Sequence, residues 1–309
     1  MHDIVITEFM DEAAVDTLRR DFSVHYDPGL ADRQPEIVPL LAGVRALVVR
    51  NRTQVSAAML GAAPKLQCVG RLGVGLDNID VETCAARRIE VYPATGANDI
   101  AVAEYVLAST LNLLRGAYAA SGQVSAGAWP RQALIGGEIF GKTLGLIGYG
   151  AIARQTAARA RAFGMKTVAF DPFLAAADPV WGETEPVSLD VLLAKSDVVS
   201  LHVPLTASTR HMLAAPQFAA MKRGAIVINA ARGGVLCESA LTDALRSGHL
   251  GGAALDVFEV EPLNAENGAR FAGLSNVILT PHVAGVTFES NARVSALIAV
   301  RVAERLRRR

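Results

Sequence analysis

Residues 143–171 predict, in order, a strand, a glycine-rich turn, a helix, a second strand and a carboxylate. The turn has the sequence Gly148-Tyr149-Gly150-Ala151-Ile152-Ala153. In a G-x-G-x-x-A turn the first glycine allows a tight bend, the second lets the backbone approach a ligand, and the small third residue lets the helix pack closely on the strand. The segment therefore predicts a βαβ unit with a dinucleotide site, in which phosphates lie on N–H groups at the helix N-terminus.

The acidic residue at the end of the second strand indicates which dinucleotide is bound. Asp171 lies 18 positions after Ala153, close to the spacing of about 20 residues that is typical of a ribose-binding carboxylate. This carboxylate would accept hydrogen bonds from a ribose diol and repel a 2′-phosphate. Pro172 and Phe173 follow it, so neither neighbour supplies an arginine for NADP. The sequence therefore predicts NAD as the cofactor.

Composition excludes several other functions. The 309 residues carry 30 Lys+Arg and 30 Asp+Glu, so no net charge favours a nucleic acid or a membrane surface. The N-terminus lacks the pattern of a signal peptide, and no uncharged apolar run reaches the roughly 18 residues of a membrane helix. The three cysteines are scattered and show no metal-ligand spacing. We expect a cytoplasmic protein without a metal, a nucleic-acid partner or a membrane partner.

The first hundred residues alternate short apolar runs with helical patterns, which is typical of parallel strands joined by crossover helices. The predicted strands are 3–7, 22–26, 46–50, 66–70 and 89–92. A helix over Asp99–Arg115 follows and is apolar on nearly every face, so it must be buried in its own domain or against a second subunit. We expect both, and hence a homodimer.

Further strands are predicted after the cofactor unit, and they complete a second, larger doubly wound sheet. They are 197–203, 225–229, 252–257 and 277–280. No strand follows the last predicted helix, Glu289–Arg305, so we expect it to return to the first domain. The predicted organisation is a substrate-binding domain of residues 1–97 plus 287–309 and an NAD-binding domain of residues 98–286.

Three chemically useful side chains follow consecutive strands of the second predicted sheet. Since ligands of open parallel sheets bind beyond the carboxyl ends of the strands, Arg232, Glu261 and His282 are expected at one rim. Arg232 would bind a substrate carboxylate through its fork of donors. His282 would take the hydroxyl proton of a 2-hydroxy acid, and Glu261 would fix its tautomer. Glu259 competes for that last role, while His2, His25, His211 and His249 receive none.

Four motifs together resemble the D-isomer-specific 2-hydroxyacid dehydrogenase family. They are Gly148–Ala153, Asn229-Ala-Ala-Arg-Gly-Gly234, Leu255-Asp-Val-Phe-Glu-Val-Glu-Pro262 and Pro281-His-Val-Ala-Gly285. The string Val69-Gly-Arg-Leu-Gly-Val-Gly-Leu-Asp-Asn-Ile-Asp80 resembles the phosphoglycerate dehydrogenase branch of that family. The resemblance implies an α/β fold of two Rossmann-like doubly wound domains around an active-site cleft. It also implies a dimer and the triad roles given above for Arg232, Glu261 and His282.

The same resemblance implies further contacts, all at positions that match the family motifs. Asp256 would contact the nicotinamide carboxamide, and Ala230 would lie near the nicotinamide. His202, Val203 and Pro204 would line the cofactor channel. The backbone at Leu72, Gly73 and Val74 would hold the substrate carboxylate.

Cationic loops at two neighbouring strand ends of the first domain suggest a second anionic group on the substrate. They are Arg50-Asn51-Arg52-Thr53 and Arg71. With the opening Ile4–Met10 and the segment Pro93–Asn98, the first loop is also similar to sulfolactate dehydrogenases. The expected substrate is thus a dianionic C3 acid, 3-sulfolactate or 3-phosphoglycerate. For Arg52 the alternative of an ordinary surface charge stays open.

Three other functions fit the same architecture. One is a glyoxylate or hydroxypyruvate reductase, and another is an NAD-sensing corepressor that binds partner peptides. The third is a formate dehydrogenase, which the sequence disfavours because formate has no hydroxyl proton for a His–Glu pair to remove. A variant of His282 separates an enzyme from a binding protein, since only the enzyme should lose turnover while keeping its NAD affinity.

Overall fold

The computed structural model describes residues 2–308, and its strands form two parallel sheets. The strands are β1 (Ile4–Ile6), β2 (Val24–Tyr26), β3 (Ala46–Val49), β4 (Cys68–Arg71), β5 (Glu90–Pro93), β6 (Thr143–Ile147), β7 (Lys166–Phe170), β8 (Glu185–Pro186), β9 (Val198–Leu201), β10 (Ile226–Asn229), β11 (Gly252–Leu255) and β12 (Val277–Leu279). Every strand pair in both sheets is parallel. The predicted α/β class with parallel sheets is confirmed.

Helices connect most of the strands, as parallel pairing requires. The α-helices are α1 (Glu12–Arg19), α2 (Ala57–Gly61), α3 (Val81–Ala86), α4 (Asp99–Arg115), α5 (Ser121–Ser125), α6 (Ala151–Ala162), α7 (Leu189–Lys195), α8 (Ala215–Ala220), α9 (Glu238–Arg246), α10 (Ala265–Gly268) and α11 (Phe288–Arg307). Short 3₁₀ helices cover Leu30–Asp32, Gln34–Glu36, Val38–Gly43, Ala117–Ala120, Pro179–Trp181 and Ala269–Phe271. None of the described helices combines the length and the apolarity that crossing a membrane requires.

The chain divides into two compact units. The first contains the residues up to Asn98 and those from Val286 onwards, and the second contains Asp99–Gly285. Each boundary lies one residue from the position that the sequence predicted. The substrate-binding and NAD-binding labels of the predicted domains are taken up below as proposals.

In the first unit the strand order is β2-β1-β3-β4-β5, the flavodoxin-like order. Helices α1 and α11 cover one face of this sheet with apolar side chains such as Val15 and Ile298. Helices α2 and α3 cover the other face, where Leu60 and Cys84 are fully buried. Gly70 in β4 lets α11 approach, because a Cβ there would lie 2.6 Å from Cγ2 of Ile298. The last helix therefore completes the core of the first unit.

In the second unit the strand order is β12-β11-β10-β9-β6-β7-β8. Chain order reverses between β6 and β9, which is the switch point where open α/β sheets bind ligands. Helices α4 and α6 pack together on one face of the sheet, and α7, α8 and α9 supply the core of the other face. Since the sheet is fully parallel, the loops that follow β6, β9, β10, β11 and β12 lie at one edge.

Candidate active site

The glycine-rich turn joins β6 to α6 with the geometry that the motif predicts. Gly148 adopts a left-handed φ of 85°, and its N–H donates to the Phe170 carbonyl at 2.8 Å. A Cβ at Gly148 would lie 2.6 Å from the His202 carbonyl oxygen, so only glycine fits this bend. Ala153 is fully buried against the sheet. The turn therefore presents the N-terminus of α6 at the switch point.

Asp171 directly follows β7 and is tied to this turn. Its Oδ2 accepts the Tyr149 N–H at 2.9 Å, and its Oδ1 accepts the Phe173 N–H at 3.0 Å. The Tyr149 side chain points into the core, where it stacks on Trp181 with ring centroids 4.9 Å apart and donates to Oγ1 of Thr184 at 2.7 Å. Tyr149 thus fixes the Asp171 carboxylate through its backbone N–H, and its ring belongs to the core.

The residues around the turn fit a dinucleotide. Gly150 is the N-cap of α6, and a Cβ there would meet no atom within 4 Å, so open space borders the backbone where a pyrophosphate would lie. Ala151 and Ile152 follow as the partly exposed first residues of α6, and helix N-termini offer unpaired N–H groups. Asp171 keeps acceptor capacity for ribose hydroxyls, because a carboxylate has about four lone-pair sites. These residues would hold NAD.

His202, Val203 and Pro204 follow β9 at the same edge. The His202 N–H donates to the Ile147 carbonyl at 2.7 Å, so this segment lies against the glycine-rich turn. The His202 Nε2 atom lies 2.9 Å from Oγ of Ser200. Although part of the residue reaches solvent, its ring is surrounded by protein, and this desolvation lowers the pKa of His202 to about 4. At neutral pH the ring is therefore uncharged.

The loop after β10 carries Ala230 and Arg232. Asn229 shapes it, because its Nδ2 donates to the Arg232 carbonyl at 2.9 Å and its Oδ1 accepts the Ala231 N–H at 3.1 Å. A Cβ at Gly233 would overlap the Phe258 carbonyl oxygen, so this loop and the loop after β11 touch backbone to backbone. Nη1 of Arg232 donates to the Ala231 carbonyl at 2.6 Å.

Glu261 and His282 meet, as the sequence predicted for the acid–imidazole pair. Nδ1 of His282 lies 2.7 Å from Oε2 of Glu261, and the other carboxylate oxygen accepts the Phe258 N–H at 3.0 Å. About a third of each side chain is exposed. Because an ionised carboxylate only accepts hydrogen bonds, Nδ1 must carry the proton and Nε2 of a neutral ring has a free lone pair.

Electrostatics keep Glu261 in the ionised form that this arrangement needs. Burial alone raises the pKa of Glu261, but the hydrogen bond and charge of His282, the Phe258 N–H and the Arg232 charge outweigh burial. The net pKa of Glu261 lies below its ordinary value. Arg232 and His282 therefore both act on Glu261 within the second unit.

Asp256 anchors the loop that carries His282. Its Oδ1 accepts the Val283 N–H at 2.8 Å and the Thr280 hydroxyl at 2.6 Å, and its Oδ2 accepts the Ala284 N–H at 2.8 Å. Its backbone carbonyl accepts the His282 N–H at 2.8 Å. His282 itself has a left-handed φ of 57°, a conformation that costs energy for a residue with a side chain. Asp256 holds this bend in place.

Two partners of this anchor were not predicted from the sequence. Thr280 donates to Asp256, and the Tyr105 hydroxyl on α4 lies 2.6 Å from Oγ1 of Thr280. Tyr105 falls inside a long apolar helix, where nothing in the local pattern marks a polar role. Thr280 directly precedes the Pro281–Gly285 motif, and this position is the only feature of the sequence that could have indicated its role.

In the first unit, Arg50 follows β3 and is partly buried. Its Nη2 donates to Oδ1 of Asn291 at 2.8 Å. Burial lowers the pKa of Arg50, while the negative charge of Glu8 acts in the opposite direction. A guanidinium stays charged in either case.

Glu8 organises the Arg50 loop and was missed as a site residue. Its carboxylate accepts the N–H groups of Arg50 at 2.8 Å, Arg52 at 3.2 Å and Thr53 at 3.0 Å. Asn78 supports the same loop, because its Nδ2 donates to the Thr53 carbonyl at 2.7 Å. Glu8 lies in the Ile4–Met10 segment and Asn78 in the Val69–Asp80 string. A sequence motif alone does not show whether such a residue contacts a ligand or supports a loop.

The remaining predicted substrate residues differ in exposure. Asn51 and Arg52 are exposed, and Nη2 of Arg52 pairs with Oδ1 of Asp32. Arg71 is buried, and its Nε donates to the Gly75 carbonyl at 2.9 Å.

The loop that contains Leu72, Gly73 and Val74 wraps Arg71, because a Cβ at Gly73 would overlap the Arg71 guanidinium. The Leu72 N–H donates to the Val49 carbonyl and the Gly73 N–H to the Arg71 carbonyl, both at 2.8 Å. Val74 is 36% exposed, so of the three it offers the most accessible surface.

Comparison with known proteins identifies the family. The profile described as "D-isomer specific 2-hydroxyacid dehydrogenase, NAD binding domain" matches residues 107–284. The chain is 53% identical over 296 residues to the (S)-sulfolactate dehydrogenase of Chromohalobacter salexigens, covering 96% of this chain and 95% of that protein. It is 38% identical over 297 residues to the D-3-phosphoglycerate dehydrogenase of Archaeoglobus fulgidus, covering 96% of this chain but 56% of that longer protein.

A solved structure agrees with these sequence relatives. The TT0316 protein of Thermus thermophilus superimposes with a TM-score of 0.90 at 33% identity, covering 98% of this chain and 96% of that one. The predicted family resemblance and the predicted NAD cofactor are therefore confirmed. The chain belongs to the D-isomer specific 2-hydroxyacid dehydrogenase family, and it is an NAD-dependent oxidoreductase of 2-hydroxy acids.

Proposed function

We propose that the chain interconverts 3-sulfolactate and its 2-keto acid with NAD. The contact that carries this proposal is the 2.7 Å hydrogen bond between Nδ1 of His282 and Glu261, because it leaves Nε2 as a base for a substrate hydroxyl. Bound NAD supplies the hydride acceptor. His282 takes the hydroxyl proton in that direction and returns it in the other, and Glu261 stabilises the imidazolium in between. Arg232 binds the carboxylate and orients carbon 2.

The second anionic group of the substrate is assigned to the first unit. Arg50 is the best-supported contact, because Glu8, Asn78 and Asn291 fix its loop and its guanidinium. The chain's 53% identity to a sulfolactate dehydrogenase supports a sulfonate over a phosphate. Arg52 is a weaker candidate, since its guanidinium is already paired with Asp32. The backbone at Leu72, Gly73 and Val74 is proposed to hold the substrate carboxylate, with Val74 the most exposed.

The assignments to the cofactor are proposals of the same kind. Gly148, Gly150, Ala151 and Ile152 would supply backbone to the pyrophosphate, and Asp171 would bind the adenosine ribose. His202, Val203 and Pro204 would border the nicotinamide half, with Ala230 beside the ring. Asp256 would reach the carboxamide only through lone pairs that its loop contacts leave free, so its anchoring of His282 is the better-supported role.

A homodimer in the cytoplasm is the proposed working form. Support for a second copy as partner comes from several large, highly exposed apolar side chains of the second unit, which a partner surface could cover. They include Tyr118, Trp129, Ile135 and Phe140, at 66%, 80%, 76% and 76% exposure. Trp129, Pro130 and Leu134 also line a cavity of about 380 Å³ together with Val124 and Arg131.

A substrate panel with one variant tests the activity. We expect the purified protein to reduce NAD fastest with 3-sulfolactate, then 3-phosphoglycerate, and slowest with lactate and glycerate. His282→Asn should lower kcat/KM by about 10²- to 10⁴-fold, because it removes the general base, and leave the NAD Kd unchanged. His249→Gln, a change at a histidine that contacts the Phe218 carbonyl, is the matched control and should keep the wild-type rate.

Each alternative predicts a different result in the same assays. Faster turnover of lactate or glycerate than of the dianionic acids would refute the substrate proposal. Preferred reduction of hydroxypyruvate or glyoxylate would favour the reductase. NAD binding without turnover of any 2-hydroxy acid would favour a corepressor-like role.

A further inference from the structure

Four charged or titratable side chains of the second unit contact one another beside the loop that carries Glu261. They are His211, Glu238, Glu259 and Arg270, called here the Glu259 cluster. Nε2 of His211 lies 3.2 Å from Oε1 of Glu259, and Nη1 of Arg270 lies 3.0 Å from Oε2 of Glu238 and 3.6 Å from Oε2 of Glu259. The cluster decides between the two glutamates of the motif, because Glu259 has partners of its own and only Glu261 meets His282.

Reciprocal hydrogen bonds join this cluster to the backbone. The Glu238 N–H donates to Oε1 of Glu259 at 3.0 Å, and the Glu259 N–H donates to Oε1 of Glu238 at 2.6 Å. The start of α9 is thereby fastened to residue 259, two positions before Glu261. Phe258, on the other side of residue 259, donates its N–H to Glu261 itself. Movement at residue 259 would therefore move both the Glu261 backbone and one of its hydrogen-bond donors.

The cluster also reaches the Arg232 loop. The His211 N–H donates to the Gly234 carbonyl at 2.8 Å, while its ring faces Glu259. The overlap that a Cβ at Gly233 would make with Phe258 shows how tightly the two loops fit. His211 and Glu259 thus connect the loop of Arg232 with the loop of Glu261.

Stability alone is a weak reason for such a cluster. Only 2% of Glu238 is exposed, and the desolvation of a buried carboxylate can exceed what its ion pairs contribute. In other proteins, buried ion pairs can often be replaced by apolar residues of similar volume without loss of stability, so ion pairing by itself does not explain the cluster. Buried polar groups with many fixed partners do, however, impose one geometry on the segments that they join.

We propose that Glu259, held by His211, Glu238 and Arg270, is a positioning residue that sets Glu261 against His282. Glu259 touches neither substrate nor cofactor in this proposal and acts only through Glu261. The inference depends on the proposed proton transfer at His282. The inference gives a role to Glu259, which lies two positions before Glu261 in the Leu255–Pro262 motif.

A double-mutant cycle with Glu261 tests the proposal. Glu259→Gln keeps the shape and an acceptor oxygen for the Glu238 N–H but removes the charge that faces His211 and Arg270. We expect kcat to fall about tenfold, with the NAD Kd and the substrate KM within about twofold of wild type. In a Glu261→Gln background the same change should lower kcat by less than about twofold, because the residue through which it acts is already disabled.

Controls separate positioning from folding. Glu185→Gln removes an exposed carboxylate that pairs with Lys195 at 3.0 Å, and it should leave every rate unchanged. The solvent deuterium isotope effect on kcat should rise in Glu259→Gln, since proton transfer becomes slower relative to the other steps. If Glu259→Gln does not fold, Arg270→Lys, which keeps the charge and loses the fork, should give a smaller loss with the same non-additivity.

Two results would overturn the proposal. One is a full tenfold loss on top of Glu261→Gln, which would mean an independent role for Glu259. The other is a lower Tm with unchanged kcat and isotope effect, which would mean a structural role alone. Wild-type activity of Glu261→Gln or His282→Asn would instead refute the proposed function, so the two failures are distinguishable.

Discussion

His202 and His282 both follow strands of the seven-stranded sheet, yet their hydrogen bonds give them different chemistry. His202 faces the Ser200 hydroxyl, and desolvation lowers its pKa to about 4. Nδ1 of His282 instead lies 2.7 Å from a carboxylate oxygen of Glu261. Of these two histidines, only His282 has the carboxylate partner that the proposed proton transfer uses.

Stability towards acid should depend on His202. At pH 7 the ring is neutral in the native and unfolded states alike, so it contributes nothing. As pH falls below the ordinary value of 6.5 the unfolded state binds a proton, and the native state does not until about pH 4. Across that window the free energy of unfolding should decrease by up to about 3 kcal/mol from this residue.

Denaturant titrations of wild type and His202→Gln at several pH values measure this effect. The variant should lose less stability than wild type between pH 6.5 and pH 4, because glutamine binds no proton. Identical pH dependence of the two proteins would contradict the expected neutral burial of His202. Both should be measured without NAD, since ligand binding adds its own stabilisation.

Single residues show where sequence reasoning reaches its limit. Arg232, Glu261 and His282 were found because parallel strands bring their carboxyl ends together, which is a property of topology. The inward direction of the Tyr149 ring and the wrapping of Arg71 by its own loop depend on packing, which no motif encodes. Glu8 was missed for a related reason, since its acceptor role depends on a loop more than forty positions away in the chain.

Among the elements, the turn before α6 and the loop after β10 each contain a glycine with a distinct requirement. Gly150 borders open space and has an ordinary negative φ of −73°. Gly233 touches the backbone of the neighbouring loop. The first glycine leaves room for a ligand, and the second leaves room for the protein itself.

Alanine at the first glycine should therefore affect NAD binding, and alanine at the second should affect the stability of the fold. Gly150→Ala should leave the Tm of the NAD-free protein unchanged and weaken NAD binding at least about tenfold, because the methyl group occupies ligand space. Gly233→Ala should destabilise the protein by about 1–3 kcal/mol, because a backbone carbonyl must move. Thermal melts and NAD titrations measure both.

A third glycine provides the control for this comparison. Gly122, within α5, has nothing within 4 Å of an added Cβ and no positive φ, so Gly122→Ala should change neither quantity adversely. A lower Tm for Gly150→Ala without NAD, or unaltered NAD affinity, would contradict the interpretation of that turn.

Most elements were predictable because apolar runs bounded by turn residues identify buried strands. The helix Asp99–Arg115 has the bounds that the sequence predicted, and each predicted strand lies within two residues of an observed one at either end. The strand Glu185–Pro186 was not predicted, because two exposed residues that include a proline carry no strand signal.

For the whole molecule, the testable property is its oligomeric state. Trp129 and Ile135 are 80% and 76% exposed in the isolated chain, and we expect a second copy to cover them. Light scattering should give about twice the 32.5 kDa mass of one chain. The pair of changes Trp129→Ser and Ile135→Ser should shift that mass towards a monomer.

A matched change elsewhere controls for general loss of apolar surface. Phe288, at the start of α11 in the first unit, is 93% exposed, and Phe288→Ser should leave the mass unchanged. A monomeric wild type, or a dimer that tolerates the Trp129 and Ile135 changes, would exclude this surface as the interface.

The return of α11 to the first unit has a consequence for biosynthesis. The apolar face formed by β1, β3 and β4 packs against Val294, Ile298 and Val302, which are synthesised after the whole second unit. The continuous second unit has all of its strands and helices available earlier. While the second unit is being synthesised, only α1 among the described helices covers this hydrophobic face, so chaperones that bind such surfaces would act on the N-terminal segment until α11 emerges.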